Sequence, residues 1–143
     1  MRMWMVQPQI LCDRHLLGEH CEIHMFIGTL EKGVKIDGYA KRNLVEPCSF
    51  FVRHEELVEE MERRGMKHHT PLEYKQELIE RLPYEIRNCE IDRSESLAEL
   101  IRRCKKCRRN YIQFLAERKE AINDEKIACM GSDSSSEHRD VST

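Results

Sequence analysis

Apolar positions recur at helical spacing along most of the chain. Between residues 13 and 33, Leu16, Ile23, Ile27 and Leu30 form one stripe, and His15, Glu19 and Glu22 share a neighbouring face with Phe26. Asp13 is the expected N-cap of this first helix, and Gly33 is the expected residue just past its end. A second helix is predicted over 50–64, with Ser49 as its cap, Phe50, His54, Leu57 and Met61 on its inner side, and Gly65 as its stop. Thr70, Pro71 and Glu73 read as the start of a short third helix ending before Pro83. Asp92 and Glu95 start a long fourth helix through Leu97, Leu100, Ile101, Cys104, Tyr111, Phe114 and Leu115 towards Ile127.

The intervening stretches are less regular. Pro8 permits a single turn around Ile10 and Leu11, residues 33–48 read as a loop, and residues 83–91 as an extended connector. The polar end, 131–143, carries one aliphatic side chain and cannot offset its ordering entropy by burial. The expectation is an all-α, single compact domain of about four helices over 1–128, followed by a disordered tail, 129–143. The N-terminal segment is expected to thread against the first helix.

Composition supports helices and narrows the setting. Charged residues make up 35% of the 143 positions, with six Gly and four Pro. No stretch is long and apolar enough to span a bilayer, no signal peptide is visible, and seven Cys show no disulfide framework. A cytoplasmic or nuclear, membrane-free protein is expected. The net charge of −2 gives no overall cationic signature, but Arg102, Arg103, Lys105, Lys106, Arg108 and Arg109 form a run without an acid. Arg102, Lys105, Lys106 and Arg109 are candidate phosphate contacts, and Tyr111 beside them is a candidate stacking residue. Phe114 is assigned to the core.

Three further groups bear chemistry. A free α-amine, unlike a Lys side chain, is substantially unprotonated at neutral pH and can form a Schiff base. Arg2 is bulky, which disfavours removal of Met1. Cys104 and Cys107 read as two incidental thiols within a helix, because no four-ligand set is visible around them. His20 and His24 are four apart and can hold a metal, but they point away from the His15–Glu22 face by roughly half a turn. His68 and His69 read as surface residues.

Four patches, in order, carry a family likeness. Arg2 follows the amino-terminal residue. Asp13-Arg14-His15-Leu16, continued by Glu19 and Glu22, gives D-x-H-L-x-x-E-x-x-E, and Gly28 keeps the register. Arg53-His54-Glu55-Glu56-Leu57 is followed by Arg64-Gly65, and Pro83-Tyr84-Glu85-Ile86-Arg87 precedes the last helix. In these the chain resembles the pyrimidine-dimer DNA glycosylases.

The resemblance implies a DNA repair glycosylase and abasic-site lyase, with no metal or other cofactor. In its register Met1 supplies the nucleophilic amine and Glu22 the catalytic carboxylate. Arg2 and His15 hold phosphates, and Glu19 and Arg87 are placed with them at the DNA interface. The implied partner is damaged double-stranded DNA, bound by a monomer. The chain also departs from the family: Cys21 and Met25 stand where arginines face DNA, and the aromatic-rich end is reduced to Tyr111 and Phe114. Two alternatives therefore remain: a helical metal- or partner-binding module built on His20, Glu22 and His24, and a lyase for a different lesion.

Overall fold

A computed structural model describes residues 1–68 and 70–141, with side chains to Cys129 apart from His69. Among these residues the fold is all-α. The helices are α1 (Asp13–Glu31), α2 (Asp37–Lys41), α3 (Phe50–Arg63), α4 (Gln76–Glu80), α5 (Tyr84–Arg87), α6 (Arg93–Arg103) and α7 (Lys105–Val141). Short 3-10 turns, Pro8–Ile10 and Pro47–Ser49, precede α1 and α3. The chain divides into two compact units, Met1–Asn110 and Tyr111–Thr143.

The core of the first unit lies between α1 and α3. Leu16, Ile23, Phe26 and Ile27 of α1 are buried, as are Phe50, Leu57, Val58 and Met61 of α3. The Phe26 and Phe50 rings stack with centroids 5.7 Å apart. Each such side chain contributes about 1.5–3 kcal/mol by leaving water. The apolar stripes expected of both helices are therefore the faces they bury. Within the second unit, residues 111–129 are exposed or half-buried. Phe114 is half-buried there, so its expected core role does not hold. The expected disordered tail falls mainly on residues outside those described with side chains, as does His69.

Several local expectations give way to tertiary contacts. Cys12, not Asp13, caps α1, with φ −69° and ψ 164°. Asp13 is the first helical residue, and its carboxylate lies 3.0 Å from Arg64 Nη1. The same guanidinium donates to the carbonyls of Pro8 and Leu11 at 3.1 and 2.7 Å, clasping the approach to α1. Gly65, at φ +80°, ends α3 as expected.

Thr70 caps nothing: the described residues of 66–75 are not helical, and α4 begins only at Gln76. His68 docks on His20 with ring nitrogens 3.0 Å apart, which holds this stretch against α1. The 33–48 loop contains α2, and the expected extended connector contains the single turn α5. Asp92 does cap α6, accepting from the Glu95 N–H at 2.9 Å. The reciprocal half of the capping box is absent, because the Asp92 N–H donates instead to Asn43 Oδ1 at 2.7 Å.

The expected long last helix is two helices. Cys104 takes φ −122° and ψ 114°, an extended conformation that breaks the run between α6 and α7.

Candidate active site

The first four residues are fixed from three sides. Met3 and Trp4 are buried, and the Met3 N–H donates to the Leu44 carbonyl at 2.8 Å. Ser96 of α6 donates its hydroxyl to the Trp4 carbonyl and accepts from Arg2 Nη2 at 3.1 Å. The Arg2 guanidinium lies 3.6 Å from the centre of the Trp4 ring. Two buried apolar anchors thus bring the start of the chain against α1, as the sequence implied.

Glu22 meets it there. The Arg2 backbone N–H donates to Glu22 Oε2 at 3.1 Å. Burial pushes the Glu22 carboxyl above its ordinary range. The Arg2 N–H and the charge of the Met1 amine oppose that shift without cancelling it. A carboxylate and an α-amine are thereby brought into electrostatic contact at the edge of an open cleft. The cleft measures about 720 Å³, and its walls include Met1, Arg2, Trp4, His15, Glu22 and Tyr39.

The cationic rim differs from the one the sequence pointed to. Arg14, Arg42 and Arg103 line the cleft, and all three are exposed. Arg103 sits in the basic run; Arg14 is the variable position of the first-helix motif; Arg42 follows α2, in a stretch whose sequence reads as loop. No periodicity marks these three as partners, since they come from separate elements.

Other candidates are placed elsewhere. Glu19 lines the cleft, but its carboxylate is fully buried and held by Arg53 through Nε at 2.6 Å and Nη2 at 3.0 Å. An anion so engaged cannot meet DNA, and Glu19 is corrected to a core ion pair. His15 also lines the cleft and packs edge-on to Trp4, yet its Nδ1 faces thiols rather than phosphate. Arg102 pairs with Glu99 at 2.7 Å and lines a neighbouring groove of about 400 Å³. Arg87 lies over the Tyr84 ring and is not among the residues lining the cleft. Lys105, Lys106 and Arg109 are exposed on the first turns of α7, and Tyr111 belongs to the second unit.

Two clusters of metal-binding donors escape the sequence reading in whole or in part. Cys12, His15, Cys104 and Cys107 converge, as do His20, His24, His54 and His68, each set with its donor atoms within 4.8 Å of one another. Cys104 and Cys107 thus lie among donors from another element, and His68 is half-buried against His20. In the histidine cluster, Nε2 of His24 lies 3.1 Å from Nε2 of His54, whose Nδ1 is 3.1 Å from Glu55. Burial, with the neighbouring imidazoles, lowers the His20 pKa to about 4, so that ring resists protonation. Glu22 is not a member of either set; His20 and His24 are grouped instead with His54 and His68. The C-x-x-H of Cys12 and His15, set against C-x-x-C, was the available signal for the first cluster.

The fold and cleft define a small all-α domain in which the start of the chain forms part of the site. The sequence model of the pyrimidine dimer DNA glycosylases matches residues 1–74, more than half of the chain, and the protein belongs to that family of DNA repair glycosylases. No curated protein and no solved structure gave a match. Among the described residues, no helix is long and apolar enough to cross a membrane.

Proposed function

We propose that the protein is a glycosylase and abasic-site lyase that works through a Schiff base at the amine of Met1. The observation carrying this reading is the hydrogen bond that holds Glu22 beside the first residue, at the edge of a cleft rimmed by arginines. The Met1 nitrogen attacks C1′ of the damaged nucleotide as the bond from C1′ to the base breaks. The departing base takes the electron pair and a proton. Opening of the sugar ring leaves an imine between Met1 and C1′. Removal of a C2′ proton then expels the 3′ phosphate by β-elimination.

Glu22 serves two steps. As a carboxylate it stabilises the cationic sugar, and it assists the proton transfers that follow. Half-burial strengthens the first role, because a charge acts further in a site partly cleared of water. The arginine rim supplies the phosphate grip, and a damaged base step lowers the cost of taking a nucleotide out of the stack.

Borohydride reduction during reaction with an abasic-site duplex tests the chemistry. The expected product is one covalent adduct, mapped by mass spectrometry to Met1. An adduct on a lysine, or undiminished trapping when a tag extends the amine, overturns the reading. A parallel panel of irradiated, oxidised-base and plain abasic duplexes separates dimer removal from action on another lesion.

A further inference from the structure

We propose that Cys12, His15, Cys104 and Cys107 form a structural zinc site that fastens the start of α1 to the α6–α7 junction. The donors come from two distant stretches of the sequence, as C-x-x-H and C-x-x-C pairs, the short spacings zinc sites use. Cys12 Sγ lies 3.1 Å from His15 Nδ1 and 3.9 Å from Cys104 Sγ, and Cys107 Sγ lies 3.5 Å from His15 Nδ1. A tetrahedral zinc, with Zn–S of about 2.3 Å and Zn–N of about 2.0–2.1 Å, sets its ligands about 3.8 Å apart for two sulfurs and about 3.6 Å apart for sulfur and nitrogen. The four atoms are thus already grouped near the spacing such an ion imposes.

The backbone around the cluster fits thiolates. The Cys12 N–H donates to Cys107 Sγ at 3.3 Å, and the Cys107 N–H donates to Cys104 Sγ at 3.4 Å. These bonds favour the charged sulfurs and orient them. They also give the helix break a reason. An unbroken helix would point Cys104 one turn away along the same rod, whereas its extended conformation sets its thiol over the first turn of α7. Cys107 is fully buried and Cys12 nearly so. Three sulfurs and one imidazole make a closed shell, the pattern of a structural rather than a catalytic site. On binding, the three thiols release their protons to solvent and His15 binds as the neutral ring.

The site's place in the fold gives it a task. His15 and Arg103, neighbour of Cys104, both line the cleft, so the ion would set the spacing between two of its walls.

The test measures metal in the full-length protein, purified without a metal-affinity tag. Zinc is expected at one equivalent in this cluster, lost in C104S and C107S. Replacing zinc with cobalt(II) is expected to give the visible spectrum of a tetrahedral thiolate complex, with sulfur-to-metal charge transfer. This second readout uses the unaltered chain, so it stands even if the variants misfold. Zinc that survives C104S and C107S but leaves with H24A and H68A belongs to the histidine cluster and overturns the proposal. So does a cobalt spectrum without thiolate charge transfer, or a Cys12–Cys104 disulfide in freshly isolated protein.

Discussion

The backbone N–H of Arg2 and the carboxylate of Glu22 meet at 3.1 Å, joining the start of the chain to the third turn of α1. Glutamine at position 22 keeps an oxygen that can accept this bond but loses the charge. E22Q should therefore stay folded while its single-turnover cleavage of abasic DNA falls by about 10²–10⁴-fold, the usual worth of a positioned acid–base group. A rate near that of the parent chain would remove Glu22 from the mechanism.

The acid limb of the pH profile should report the same residue. Burial, only partly offset by the Arg2 N–H and the Met1 charge, raises the Glu22 carboxyl above its ordinary range. The ionised form therefore disappears earlier as pH falls. Cleavage should decline at a pH above that expected for an unperturbed glutamate, and E22Q should lack this limb. Rates measured across mildly acidic buffers at constant ionic strength decide it.

Duplex affinity should depend on the rim of the cleft. R14A, R42A and R103A each remove an exposed cation from that rim. Each substitution should reduce the slope of log affinity against log salt by about 0.9, almost irrespective of sequence, because one fewer phosphate is neutralised. R87A, away from the cleft lining, should leave the slope unchanged. Titrations of a fluorescent duplex at several salt concentrations provide the comparison.

Stability should be most sensitive at the Glu19–Arg53 pair. Both side chains are buried, and burial alone would lower the Arg53 pKa. The Glu19 charge and hydrogen bonds outweigh it, so the net shift is upward. Removing Arg53 strands a buried Glu19, at about 3–5 kcal/mol for R53M, whereas E19L leaves Arg53 with Glu56 at 3.1 Å and should cost less. The double change E19L/R53M should cost less than the two single effects added together. Urea denaturation of the parent and variant chains closes the cycle.

Acid should also loosen the link between the 43–46 segment and α6. Burial pushes Glu46 up, but bonds from Arg93, Ser49 and the Ile91 N–H outweigh it and hold the carboxyl below its ordinary range. A depressed folded value contributes stability that is complete above the unfolded pKa and drains away as pH falls through the folded one. E46Q should therefore unfold more easily at neutral pH and show a flatter decline of stability in acid. Thermal melts from neutral to strongly acidic buffer test both parts.

How much of the molecule is legible in its sequence depends on the range of the interaction. The α1 and α3 faces follow from their apolar spacing, because Leu16, Ile23, Leu57 and Met61 need only an opposite wall. Asp92 as a cap is equally local. The capping box at Thr70 is overruled by His68 reaching His20, an interaction between residues far apart in sequence. Glu19 and Glu22 look equivalent on a helical wheel. Only the positions of Arg53 and Arg2 tie up one in an internal ion pair and leave the other beside the chain start. The thiol cluster is hidden for the same reason: its halves lie at opposite ends of the domain's sequence, and the break at Cys104 has neither Gly nor Pro to announce it.

The donor that holds Glu22 is a main-chain atom. Any amino acid except proline at position 2 supplies it, so the bond itself does not depend on the Arg2 side chain. An α-amine is likewise common to every residue type, so the proposed nucleophile would not depend on the methionine side chain. At this edge of the cleft the bond to Glu22 therefore depends on backbone register, while the Arg2 side chain is held separately by Ser96 and Trp4.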